Sequence, residues 1–506
     1  MASNNKTIAK NAIFLYIRMI ITVAISFYTA RVLLQELGVD NYGIYNLVGG
    51  IVSLFASLKG MFSCAVQRYL NYEYAREDGD AAKVFSLSLI IHILVAVFFA
   101  CIVEIVGYFM LLGLNIPPDR LFAAKVVFQF SVLASVVSII TIPYDAVIVA
   151  REKMNMYAYI SIFEAFGRLL IVFILPFLLY DVLVCYGCLV LLLSLVVCSI
   201  HYWYCVSHFV EAQFKRVWDK KLFRELLNFA GWNFAGNLAF SLTNEGINML
   251  LNLFGGVAVN AARGITYQIK NIVQQLLGNI MTAYRPQSTV KYAQKQYDKF
   301  YLLMFQSSKL VFALYVVMAF PLFIFLPEIL QLWLGQIPEY TVSLMRAILV
   351  YMLIRSFHEP MDLLFKSAGQ LKYYQLCELL ILSLSLPLAY ILLKSGLDFY
   401  MVFIGMAAVE LVDLCAIVTI ATRQLNFPYL KYIRIVPLRC FALTAALIMI
   451  HWCLNFFVVP PDNILILLAY CITDVAIVAM FVYMLLLNSA EKEMVHRIIT
   501  KLLPKR

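Results

Sequence analysis

Ten lysines and arginines lie inside stretches that are otherwise apolar: Arg18, Arg31, Lys59, Lys125, Arg168, Arg263, Lys270, Lys309, Arg346 and Arg355. A charge at the centre of a bilayer costs about 2.5–3.5 kcal/mol even on the most lenient scales, so such residues face a partner or a water-filled interior. Arg18, Lys59, Arg263 and Lys270 have no carboxylate within four residues on their own segment. Unpaired cations of this kind suit a hydrated cavity that receives an anion, above all a phosphate or pyrophosphate, which arginine grips with two parallel hydrogen bonds. Arg31 and Lys125 have a simpler outlet, because long side chains near a span's end reach back to the interface. Two other cations have an acid one helical turn away: Glu164 precedes Arg168, and Arg355 precedes Glu359 with Asp362 beyond it, spacings that predict ion pairs along one helix face.

The complementary set is acidic: Glu104, Asp145, Glu245, Glu378, Glu410, Asp413 and Asp474 also fall in apolar surroundings. A desolvated carboxylate can exchange a proton or hold a sodium ion, so Glu245, Asp145, Glu410 and Asp413 are the candidates for ion coupling by H+ or Na+. Glu245 lies in an unusually polar patch with Thr243 and Asn244. Glu410 and Asp413 either bind a cation or pair with Arg346 or Lys309, and the spacing leaves both open. Cys185 and Cys188 are the only suggestively spaced pair among the eleven cysteines, and without a second Cys or His pair nearby they predict no metal site. No catalytic constellation and no resident cofactor are expected.

The elements that must position these groups are membrane helices. Of 506 residues 63% are hydrophobic and 13% charged, well beyond the roughly 45–50% apolar content of a soluble domain. Apolar runs predict about fourteen spans, at 11–36, 43–65, 84–113, 121–149, 155–180, 182–208, 225–253, 259–284, 301–327, 340–365, 371–393, 398–422, 436–458 and 463–488. They are helices because a lipid-exposed backbone must satisfy itself, and the runs are too long for barrel strands. Although Lys6 and Lys10 precede an apolar stretch as in a signal peptide, Arg18 interrupts that stretch, and it reads as the first span.

The formal charge of +10 could suggest nucleic acid, but its placement points to topology. With this span map, lysine and arginine crowd the loops on the side of the N-terminus, while the opposite loops carry only Arg120 and Lys394. A missed span would invert every later loop, so the asymmetry predicts an even number of crossings with both termini cytoplasmic.

The halves are also alike, since LGVDNYGIYNLVGG (37–50) and FGGVAVNAARGITYQI (254–269) both place a glycine break before an aromatic-bearing helix start. The expected organisation is an N-lobe of six helices over 1–210, a cytoplasmic linker over 211–224, a C-lobe of six helices over 225–424, and two appended helices with a cytoplasmic tail over 425–506. Every predicted outer loop is about a dozen residues or shorter, which argues against a membrane glycan polymerase with its chemistry on long loops.

The stretches LGVDNYGIYNLVGGIVSLF (37–55), QRYLNYEYAREDGDAAKVF (67–85), AREKMNMYAYISIFEAFGRL (150–169) and AARGITYQIKNIVQQLLGNIMTAYRPQ (261–287) give the whole chain a resemblance to the polysaccharide, or O-antigen, flippase branch of the multidrug/oligosaccharidyl-lipid/polysaccharide exporter superfamily. The resemblance implies a multi-pass protein of the bacterial inner membrane that moves an undecaprenyl-pyrophosphate-linked oligosaccharide by alternating access. O-antigen, capsule and exopolysaccharide repeat units are its substrate class, and other polysaccharide-assembly proteins are possible partners. It further implies that Arg18, Lys59, Arg263 and Lys270, on the first, second and eighth spans, attend the pyrophosphate, with Lys59 offering a point charge where related flippases have an arginine fork. A lipid II flippase or a drug/cation antiporter of the same superfamily are the alternatives, although an organic cation would call for an acidic cavity.

Overall fold

The computed structural model describes residues 2–53, 66–67, 69–74, 76, 79–370, 372–454, 463–488 and 491–493. Among these residues the secondary structure is helical throughout, with no strand. The first half holds α1 (Ala2–Ser53), α2 (Ala81–Gly113), α3 (Leu121–Ala150), α4 (Met154–Ile174), α5 (Val182–His208) and α6 (Lys220–Ala293). The second holds α7 (Tyr297–Ile324), α8 (Leu326–Leu334), α9 (Thr341–Arg355), α10 (His358–Ala368), α11 (Lys372–Ser383), α12 (Ser385–Lys394), α13 (Tyr400–Leu425), α14 (Tyr429–Ile435), α15 (Pro437–Leu454) and α16 (Ile464–Phe481). Ten helical stretches among the described residues are long and apolar enough to cross a membrane. These are helices rather than crossings, since residues 18–50 form one of the ten yet bend at Gly38.

Two glycines set the bends. Gly38 in α1 (φ 72°, ψ 171°) and Gly256 in α6 (φ 69°, ψ −168°) adopt the same left-handed conformation, which costs a residue with a Cβ dearly and glycine little. In α6 the consequence can be measured. Asn248 and Asn260, twelve residues apart, would be separated by about 18 Å on a straight helix, yet the Asn260 amide donates to the Asn248 side-chain oxygen at 2.8 Å. The arms of α6 therefore double back at Gly256. Asn252 extends the ladder by donating to Asn260 at 2.9 Å and accepting from the Asn115 backbone amide at 2.8 Å.

The chain forms two compact units, residues 1–265 and 266–506. In the first, α3 packs on α5 and α2, and α1 on α4. There the second arm of α1 also meets α6 so closely that a Cβ at Gly43 would lie 2.0 Å from the Val257 carbonyl oxygen. Backbone-to-backbone approach of this kind is how small residues join helices in lipid, where apolar burial supplies no drive for association. In the second unit, α13 is the central packing partner of α9, α11 and α12, while α16 packs on α7.

Several charges outside the spans brace this frame. Arg120, one of the two basic residues expected on the sparsely charged side, donates to Asp181 at 2.6 Å and to Asn41 at 2.8 Å. Among the basic loops, Arg151 donates to Glu211 at 2.6 Å and lies over the Tyr74 ring, whose hydroxyl also reaches Glu211. A hydrogen bond from Lys83 is the main cause holding the Asp219 carboxyl down at about 2. That tie is present above the ordinary carboxylate range and is released in strong acid.

Candidate functional site

The first unit contains a cleft between α1 and α4. It has a volume of about 290 Å³ and draws Thr22, Ser26 and Thr29 from the first arm of α1, Tyr42 and Tyr45 from the second, and Ser161, Glu164 and Arg168 from α4. A spacing of three or four residues along each helix puts these groups on one face. Glu164 and Arg168 meet at 2.9 Å, each side chain 41% exposed, and both line the cleft. The Thr29 hydroxyl is buried and has no hydrogen-bond partner among the described residues.

Arg18 sits one turn before Thr22 on α1. Its Nη1 donates to Ser161 over a long 3.5 Å, and its guanidinium lies 4.9 Å from the centre of the Tyr157 ring. Its Nε is buried with no hydrogen-bond partner among the described residues.

The other expected anion ligands differ. Arg263, read from the sequence as a cation without an acid, has one: its Nη1 is 3.8 Å from Glu245 and its Nη2 donates to the Asn244 carbonyl at 2.9 Å. The fold-back at Gly256 brings together residues that a same-helix search keeps eighteen positions apart. Glu245, expected as a coupling carboxylate, thereby becomes a partner of Arg263, and it also accepts from Asn248 at 3.1 Å. Lys270 is buried, with its ammonium 4.3 Å from the Tyr267 ring and 5.6 Å from the Tyr351 ring. Lys59 lies outside the described residues.

Asp145 has a partner that the sequence reading missed. His201 of α5 places Nε2 2.8 Å from the Asp145 carboxylate and Nδ1 2.8 Å from the Val197 carbonyl. A carbonyl only accepts, so Nδ1 carries hydrogen. His201 bridges Asp145 of α3 and the backbone of its own helix α5.

The second unit holds a larger cluster. Arg355, expected to pair with Glu359 one turn on, instead donates to Glu410 at 2.9 Å and to Glu378 at 3.2 Å. The physical reason is a break at Ser356 and Phe357 between α9 and α10, which removes the helical register that the spacing assumed. Asp413, one turn beyond Glu410 on α13, faces His358 Nε2 at 3.2 Å. Neither of the other partners considered for this pair is engaged there: Lys309 binds Glu491, and Arg346 lies over the Phe323 ring. His358 carried no recognisable signal, being a lone histidine just past a helix end.

Helices of this length and apolarity, folded around buried ion pairs, define a multi-pass membrane protein. The solved structures agree on the fold. An inward-facing multidrug resistance MATE family transporter of the MOP superfamily superposes with a TM-score of 0.66 at 16% identity, covering 80% of this chain and 96% of that one. A MOP superfamily transporter from Pyrococcus furiosus, described as having a binding pocket of reversed polarity, gives 0.61 at 16% identity over 81% and 94%. A MATE protein in complex with MaL6 gives 0.59 at 17% identity over 80% and 94%. The polysaccharide biosynthesis protein family matches residues 8–289, more than half of the chain, and the MatE family matches 234–391. The chain belongs to the polysaccharide biosynthesis protein family. No curated protein matches it.

Proposed function

We propose that this protein is a flippase that carries an undecaprenyl-pyrophosphate-linked oligosaccharide from the cytoplasmic to the periplasmic leaflet of a bacterial inner membrane, with both of its own termini in the cytoplasm. The observation that carries this reading is the α1–α4 cleft: hydroxyl groups and an ion pair on its wall suit sugar, and Arg18, bonded to the cleft residue Ser161, suits phosphate. Arg18 is the pyrophosphate ligand in this account, with Lys59 as its expected companion. Arg263, tied to Glu245, is placed to trade its acid for the substrate's phosphate. Drug or cation export is less well supported, because the cleft's one carboxylate is already neutralised by Arg168 at 2.9 Å, and an organic cation would meet Arg18 as well. The similar folds, named as transporters, favour transport over catalysis.

Coupling to a proton gradient is assigned to Asp145 and His201. Their side chains meet at 2.8 Å inside the bundle, where a change of charge on either one gives each state its own structural preference.

Cells depleted of this protein are expected to accumulate lipid-linked repeat units that stay shielded from periplasmic enzymes while total synthesis continues. Accumulation of repeat units already exposed to the periplasm would place the block after translocation and remove the reading.

A further inference from the structure

The second unit holds an excess of buried negative charge. Glu410 and Asp413 are fully buried in the middle of α13, His358 is 2% exposed at the start of α10, and Glu378 of α11 joins them. Against three carboxylates stands one guanidinium, Arg355, leaving up to two negative charges uncompensated at a depth where a single one is costly.

The hydrogen bonding shows where the missing charge belongs. Arg355 Nη1 satisfies Glu410 Oε1, and Glu410 Oε2 is buried with no hydrogen-bond partner among the described residues. His358 Nε2 faces Asp413 Oδ2, and Asp413 Oδ1 is likewise buried and unpartnered. One nitrogen or oxygen from each of His358, Glu410 and Asp413 can be chosen so that all three lie within 4.8 Å of one another. Donors about 2.0–2.2 Å from a shared ion are roughly 3.4 Å apart in a tetrahedral arrangement, so small side-chain rotations close the set.

We infer that His358, Glu410 and Asp413 bind a divalent cation, which neutralises the cluster together with Arg355. Charge and donor type select the occupant. A sodium ion supplies half the charge and prefers oxygen, and magnesium and calcium are likewise oxygen-seeking, whereas one imidazole with two carboxylates suits zinc, manganese or ferrous iron. Such an ion pins the first residue of α10 to the centre of α13, across the break that separates α9 from α10. This site is independent of the sugar-lipid reading, because none of its residues lines the α1–α4 cleft.

The full-length protein in detergent, stripped with EDTA and then desalted, is to be titrated with zinc or manganese while its thermal unfolding and bound metal are measured. The expected result is about one metal per chain and a saturable rise in Tm of several degrees, weaker with magnesium or calcium and missing with sodium. Asp413→Asn and the milder Glu410→Gln should each weaken the metal response at least tenfold. A Tm unmoved by every divalent ion overturns the inference and means that protons balance the charge; a response equal in both variants overturns it by placing the metal elsewhere.

Discussion

Arg355→Leu is expected to lower the Tm of the purified protein by on the order of 10 °C, the largest stability loss of any single substitution considered. Removing one partner of a buried ion pair costs about 3–5 kcal/mol because the other charge stays behind. Here two carboxylates stay behind: Glu410, fully buried, and Glu378, 24% exposed. About 2–4 °C per kcal/mol for units of this size converts the free energy to the temperature shift. Adding Glu410→Gln to Arg355→Leu should recover part of the loss, since it removes one of the stranded charges. A change below about 2 °C in the single variant would mean that the cluster is neutralised without Arg355.

Arg18→Ala should have the largest effect on transport: export falls at least tenfold while membrane abundance and Tm change little. Among the described residues its contacts are weak, a 3.5 Å bond to Ser161 and a ring contact of about 0.5–2 kcal/mol with Tyr157. Little folding energy is therefore at stake, and a lost function reports a lost ligand. Arg18→Lys keeps the charge but not the paired donors, so intermediate export is expected. Arg263→Ala gives a less clean answer, because it also strands Glu245 in the bundle. Export at the wild-type level in Arg18→Ala, measured as surface polysaccharide at matched protein abundance, would remove Arg18 from the pyrophosphate role.

The parts of this account that were readable in the chain are those governed by local rules. Runs of twenty or more apolar residues can only be helices in lipid, so the all-helical membrane class followed from length and composition. The glycine breaks at 37–38 and 255–256 were visible because few other residues accept the backbone conformation found at Gly38 and Gly256. Glu164 and Arg168 could be matched because both lie on an unbroken helix.

Partners joined by tertiary structure were not legible. Arg263 and Glu245 are neighbours only because α6 folds back, Arg355 and Glu410 are 55 positions apart, and Asp145 and His201 are 56 apart. The short interruption at Ser356–Phe357 coincides with Pro360, which has no N–H for the Ser356 carbonyl, but a proline does not say where the freed side chains turn, and here Arg355 turned from Glu359 to two other helices.

Transbilayer movement itself is the most direct test. Purified protein in liposomes carrying a labelled undecaprenyl-pyrophosphate oligosaccharide in the inner leaflet should deliver that label to a membrane-impermeant glycosidase outside. The rate should rise with an imposed proton gradient and fall to the protein-free rate with Arg18→Ala. Label that remains as inaccessible with the wild-type protein as in empty liposomes, under every gradient imposed, would contradict the account.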